Sequence, residues 1–193
     1  MNTLSQATDN QLVHAFQQGN NQALEILVNR HKDKIFTSIN MLVKDRYLAE
    51  DLFQEVFIKI IETLRKNNYN EEGKFLPWAI RIAHNLCVDH FRKVKRTPTI
   101  TTGDDHDIFE VINVSAESAD QAIIRSQSHE KVRQLLEQLP AEQREVIVLR
   151  HYADLSFKEI ATLTNCSINT ALGRMRYGLL GMRKMMTENQ MSL

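Results

Sequence analysis

The chain has 193 residues, room for one large or two small domains, with 42% apolar and 25% charged residues, 6 Gly and 3 Pro. This ordinary globular composition excludes a collagen-like, low-complexity or highly charged disordered chain. Formal net charge is zero, but residues 1–96 hold 14 Lys/Arg against 11 Asp/Glu, residues 97–120 none against 6, and residues 121–193 hold 10 against 7. Two mildly basic blocks therefore flank an acidic strip, a pattern that the whole-chain value conceals and that leaves a nucleic-acid partner open. Cys87 and Cys166 lie far apart with no C-x-x-C spacing, which indicates neither a disulfide framework nor a zinc site, and both read as small buried residues. The start "MNTLSQATDNQ" is polar and no run has the apolar length of a membrane span, so a cytoplasmic location is expected.

Helical periodicity predicts amphipathic runs at about 9–18, 21–43, 47–66 and 76–95, separated by short polar breaks. In "AEDLFQEVFIKI", residues 49–60, a helix buries Leu52, Phe53, Val56, Phe57, Ile60 and, one residue on, Ile61. Its other face carries Glu50, Asp51, Gln54, Glu55, Ile58 and Glu62. An Ile ringed by carboxylates fits a protein-docking patch; it also fits a solvated face steadied by Glu55 and Lys59 at i, i+4.

In "KFLPWAIRIAHNLCVDHFRKVKR", residues 74–96, a helix puts Phe75, Leu76, Ala79, Ile80, Ile82, Ala83, Leu86, Cys87, Phe91 and Val94 on a core face. Trp78 falls on the other half with Arg81, Asn85, Asp89, Arg92 and Arg96, and with His84 and Val88 further round. Arg neutralises phosphate, Asn clamps or reads a base, and an indole stacks on an unpaired base, so the stripe suits nucleic acid. The bland alternative is that Trp78 packs on a neighbouring helix while the arginines are solvated.

Residues 97–120 are rich in Thr, Asp and Ser and free of Lys and Arg, which predicts a flexible acidic linker. Ile108, Phe109, Val111, Ile112 and Val114 make it stickier than an inert tether. Helices are expected to resume from about 121 to 186. Ser156 and Glu159 form an S-x-x-E capping box for a short helix, Asn165 suits a left-handed turn, and Ser167 can cap a second helix. Together they predict a helix-turn-helix. Its second helix is expected to bury Ile168, Leu172, Met175, Leu179 and Met182. Asn169, Thr170, Gly173, Arg174 and Tyr177 then face outward, flanked by Arg176 and Lys184, as a reader of major-groove base edges requires.

Three segments resemble a known family. "LPAEQREVIVLRHYADLSFKEIATLTNCSINTALGRMR" resembles the minus-thirty-five promoter reader of sigma-70 family transcription initiation factors. "AEDLFQEVFIKI" resembles their core-polymerase-binding helix, and "FLPWAIRIAHNLCVDHFRK" their promoter-melting, minus-ten-reading helix. Two domains on a short linker is the plan of the extracytoplasmic-function (ECF) subgroup. The resemblance spans nearly the whole chain.

It implies an all-α protein of two small helical domains joined by an acidic flexible linker, the C-terminal one a winged-helix-like helix-turn-helix. Region 2 would occupy residues 9–96 and region 4 residues 121–187. It further implies that Glu50, Asp51, Gln54, Glu55 and Ile58 grip the clamp helices of the largest polymerase subunit, and that Lys74, Trp78, Arg81, Asn85 and Arg92 meet minus-ten DNA, with the loop around Tyr69 to Lys74 taking one flipped base. Asn169, Thr170, Arg174, Arg176 and Tyr177 would meet minus-thirty-five DNA. Leu172 and Gly173 depart from the usual polar or basic residues of a recognition helix. An anti-sigma factor is an expected partner; no cofactor, metal or catalytic residue is expected.

Opening about ten base pairs costs on the order of 14 kcal/mol at about 1.4 per step, and stacking one base returns only about 1 to 3 kcal/mol. Such a protein should therefore depend on a larger machine. Two other classes remain: a homodimeric helix-turn-helix regulator, which leaves residues 49–60 and Trp78 without purpose, and an enzyme acting on nucleic acid. For the latter, the seven His are scattered and no phosphate-cradling Gly loop or nucleophile with a base at readable spacing is visible.

Overall fold

The computed structural model describes residues 3–70, 74–96 and 131–188, and every regular element among them is helical. A short 3₁₀ turn (Thr3–Gln6) precedes α1 (Asp9–Gln17), α2 (Asn21–Val43), α3 (Arg46–Arg65) and α4 (Phe75–Arg96). Residues 131–138 form α5, followed by α6 (Ala141–His151), α7 (Phe157–Leu163) and α8 (Ile168–Glu188). The acidic linker predicted at 97–120 lies outside the described residues, as do most of the Tyr69 to Lys74 loop and the start of the helix expected from 121. No strand, and so no wing, accompanies the helix-turn-helix among the described residues.

Local chemistry sets the helix ends. Thr8 and Gln11 form a capping box at α1, with Thr8 N donating to Gln11 Oε1 at 2.8 Å. Asn20 caps α2 and Asp45 caps α3 through the Leu48 N–H at 3.0 Å. Lys44, at φ 58, takes the left-handed conformation that stops α2. The predicted box at Ser156 and Glu159 and the predicted left-handed turn at Asn165, φ 50, are both present. Ser167 accepts from the Thr170 N–H at 3.0 Å, starting α8.

Helices α1 to α4 pack into one bundle whose core includes Leu12, Leu27, Ile35, Ile39, Ile60, Leu64, Phe75 and Ile80, all at or below 1% exposure. Each such side chain contributes roughly 1.5–3 kcal/mol. Asp9 ties α1 to α2 by accepting from Arg30 at 2.6 Å and pairing with His31 at 2.8 Å. Helices α6, α7 and α8 pack together into the second unit. The two units meet along a seam where α2 packs on α6 and Met41 joins Leu136, Leu139, Ile147 and Val148.

Two expected core faces are corrected. On α8 the inward residues are Ala171, Met175, Gly178 and Met182, whereas Ile168, Leu172 and Leu179 are 40% or more exposed. The helix is rotated because it approaches its neighbours through small residues: a Cβ on Gly178 would lie 2.7 Å from Ile147 Cδ1, and one on Gly181 3.1 Å from Leu139 Cδ2. On α4, Phe91 and Val94 are 41% and 48% exposed, because the buried face of the helix ends at Cys87 and all of residues 91–96 are exposed. Cys166, also expected buried, is half-exposed.

Cys87 is buried in the bundle, which pushes its thiol up to about 12. Burial thereby suppresses the reactive thiolate of Cys87 at neutral pH. Thiol counting at pH 8 should therefore find one fast group in the native protein, Cys166, and two after unfolding; two fast native groups would contradict the burial of Cys87.

Candidate nucleic-acid interface

Helix α4 carries the first candidate surface. Asn85 and Arg92 are exposed, and Arg92 reaches Asp89 at 3.4 Å, a contact weak enough to exchange for another anion. Trp78 is not the freely exposed aromatic expected: it is half-buried, its ring edge-on to Tyr69 at 4.8 Å and tilted against Phe75 at 5.7 Å. Aromatic pairs of this geometry anchor a ring beyond simple burial, so the indole is packed on the bundle and only partly open to solvent. His84, expected on the outer half, is 3% exposed and meets Glu145 of α6 at 2.8 Å.

Lys74 approaches Glu159 of α7. The ammonium of Lys74 lies 3.6 Å from its carboxylate. The hydroxyl of Ser156 holds the Glu159 carboxyl below the usual range, and the charges of Lys74 and Arg81 lower it further.

The second surface lies on α3. Asp51, Gln54 and Glu55 are exposed and Ile58 is 56% exposed among them. Glu50 is half-buried, with Arg46 Nε donating to it at 3.0 Å, and Glu55 pairs with Lys59 at 3.4 Å. Leu52, Phe53, Val56, Phe57, Ile60 and Ile61 turn inward. Sequence reasoning missed a groove of about 400 Å³ between α3 and α4, where Lys59, His90, Lys93 and Arg96 face Glu55 and Asp89. The 3–4 spacing of cations along the end of α4 was the available signal.

The third surface is α8. Asn169 and Thr170 are exposed in its first turn and Arg176 and Tyr177 near its middle, and Thr170 shares a hydrogen bond with Ser167 at 2.8 Å. Arg174 is turned back: its guanidinium donates to Glu142 of α6 at 2.7 Å and its side chain is 20% exposed. Nothing lies within 4 Å of a Cβ built on Gly173, so the backbone there is open to close approach. Rotation of the helix puts Leu180 and Arg183 on the same side as Asn169 and Arg176, two exposed residues that the sequence reading left out. Arg183 follows Arg176 by seven residues, the spacing that would have found it.

Among the described residues no cluster of three or more His, Cys, Asp or Glu could hold a metal, and no helix is long and apolar enough to cross a membrane.

Known proteins share this arrangement. Residues 27–97 match the model of Sigma-70 region 2 and residues 129–172 that of Sigma-70, region 4. The chain is 33% identical to the RNA polymerase sigma-H factor of Pseudomonas aeruginosa, across 89% of this chain and 90% of that one. It is 30% identical to the ECF RNA polymerase sigma-E factor of Escherichia coli K12, across 88% and 89%. Among solved structures, CnrH in complex with the cytosolic domain of CnrY superposes with a TM-score of 0.61 at 20% identity, covering 94% of this chain and 99% of that one. RpoE in complex with the anti-sigma factor NepR from Bartonella quintana superposes with a TM-score of 0.66 at 16% identity, covering 85% and 96%. With α3 and α4 inside the region 2 match and the helix-turn-helix at the end of the region 4 match, the chain belongs to the sigma-70 family of RNA polymerase sigma factors, in the extracytoplasmic-function subgroup.

Proposed function

We propose that three helices divide the work of this sigma factor: α3 docks on core polymerase, α4 engages the minus-ten region, and α8 reads the minus-thirty-five element. The family membership makes the chain a transcription initiation factor that binds core RNA polymerase and directs it to specific promoters. One observation carries the division of labour: two separate helices, α4 and α8, offer Asn and Arg to solvent, while α3 offers an Ile among carboxylates. Asn and Arg are the side chains of base-edge and phosphate contact. An apolar anchor with a charged rim is the pattern of a protein interface.

On this reading the segments 9–96, 97–120 and 121–187 act as region 2, linker and region 4. Asp51, Gln54, Glu55 and Ile58 meet the clamp helices, with Glu50 at the rim. Asn85 and Arg92 are open to minus-ten DNA; Trp78 presents the part of its ring that the bundle leaves uncovered; Arg81 lies on the same helix, and Lys74 joins by exchanging Glu159 for phosphate. On α8, Asn169, Thr170, Arg176 and Tyr177 are the leading contacts, and Arg174 needs to leave Glu142 to take part. The factor acts in the cytoplasm, performs no turnover, and is a target for an anti-sigma factor. The last element is supported by the fold it shares with RpoE, solved with NepR.

The direct test is to mix the purified chain with core polymerase and map transcript starts genome-wide; a chain that instead binds duplex DNA as a dimer and ignores polymerase would be a stand-alone regulator. Asp51→Lys combined with Glu55→Lys should abolish co-purification with core polymerase while far-ultraviolet circular dichroism stays unchanged. Persistence of the complex would remove this face of α3 from the interface.

Trp78→Ala should lower stability by about 2 kcal/mol in a denaturant titration, since it empties part of the cluster with Tyr69 and Phe75. At equal folded fraction it should also cut open-complex formation by roughly five- to a hundredfold, the worth of one stacked base, with closed-complex affinity nearly unchanged. Equal loss at both stages would make Trp78 a purely structural residue.

A further inference from the structure

Helix α8 leaves apolar surface in water beside the polar residues of its outer face. Ile168, Leu172, Leu179 and Leu180 are each 40% or more exposed. Single exposed apolar residues are ordinary, but a strip of them on one element marks a surface that a partner covers. At about 100° per residue, Ile168, Leu172 and Leu179 fall within about 40° of one another, and Leu180 lies further round. Leu172 is the member that borders Asn169. The two stand about 60° apart and one turn apart along the helix, with Gly173 about 40° from Asn169 on its other side. Asn169 is exposed in the first turn, and a Cβ built on Gly173 meets nothing within 4 Å.

Charge narrows what covers the strip. Helix α8 carries Arg174, Arg176, Arg183 and Lys184 and no carboxylate before Glu188. Arg176 and Arg183 are exposed and lie between Leu172 and Asn169 in angle, so cations border the apolar strip. Duplex DNA has the matching surface, because its major groove displays thymine C5-methyl groups between two rails of phosphate. The cation that would otherwise seek guanine near the helix start is withheld: Arg174 is turned to Glu142 at 2.7 Å, with its side chain 20% exposed. The first two turns of α8 therefore meet base edges with an amide and an isobutyl group rather than a guanidinium.

We propose that Leu172 is a specificity-determining residue that reads a thymine methyl group in the upstream element, beside an adenine held by Asn169, so that this chain selects A·T pairs there. The proposal rests on the assignment of α8 to the minus-thirty-five element. Asn pairs bidentately with adenine N6 and N7, and an apolar side chain finds its partner in the thymine methyl. Gly173 keeps bulk away from the groove, which lets a side chain as short as Leu reach a base edge. Arg176 and Arg183 bind the flanking phosphates and set the register.

The test uses the full chain with core polymerase. Holoenzyme first selects binding sites from a duplex library randomised over the upstream element, and the enriched sites should hold A·T pairs. If no upstream sequence is enriched, the assignment of α8 itself fails. Each thymine of the enriched element is then replaced in turn by uracil, which pairs alike but lacks the methyl group. At one position the exchange should weaken holoenzyme binding about fourfold, the worth of one buried methyl. Leu172→Ala should bind the thymine and uracil elements equally, and Leu172→Arg should move the selected pair to G·C. Because Leu172 is exposed, both variants should keep the parent melting temperature and co-purify with core polymerase as before. Tolerance of uracil at every position by the parent chain would overturn the proposal. Sensitivity that persists in Leu172→Ala would do the same, and if that variant also lost polymerase, the strip would be a protein-docking surface instead.

Discussion

Helix α4 has one circumference and two demands on it. The side carrying Phe75, Leu76, Ala79, Ile80, Ala83, Leu86 and Cys87 closes the N-terminal bundle, and none of those positions can be given up without opening the core. Whatever the helix does for DNA must be done with what is left: one flank of Trp78, the guanidinium groups of Arg81 and Arg92, and the amide of Asn85. That leftover face is small. On the proposed division of labour, a face of that size contacts a few positions and leaves the remainder of the opening energy to polymerase.

The same leftover face is contested inside the molecule. His84 turns to α6 and Lys74 to Glu159 of α7, so the segment that would meet parted strands lies against the segment that would meet duplex upstream. The pair of Lys34 and Asp154 is half or more exposed on both sides, and exposed pairs contribute no more than about 1 kcal/mol each. Pairs of that kind add little to the apolar contacts of Met41 with Leu136, Leu139, Ile147 and Val148.

The helices themselves were legible in the sequence because the local signals agree with the tertiary ones. Thr8, Asn20, Asp45, Ser156 and Ser167 each sit where a cap is needed, and the apolar period of α3 matches its buried face residue for residue. The rotation of α8 was not legible. Pattern reading assigns the largest apolar residues inward, but here Ala171 and Gly178 carry the close approach and Leu172 and Leu179 are left outside. The burial of His84 was equally hidden, since its partner Glu145 is 61 positions away and no local spacing joins them. Arg174 illustrates the same limit: its place on an outward stripe says nothing of Glu142, which turns it back. Contacts between units are a property of the assembled surface, and periodicity along one helix carries no information about them.

The account stands most directly on whether the two units part when the chain meets polymerase. Spin labels at the exposed positions Lys32 on α2 and Lys184 on α8, read by pulsed electron resonance, report that separation. A single short distance in the free chain, replaced by a distribution longer by some tens of ångströms on addition of core polymerase, is the predicted result. An unaltered short distance in the bound complex would contradict it.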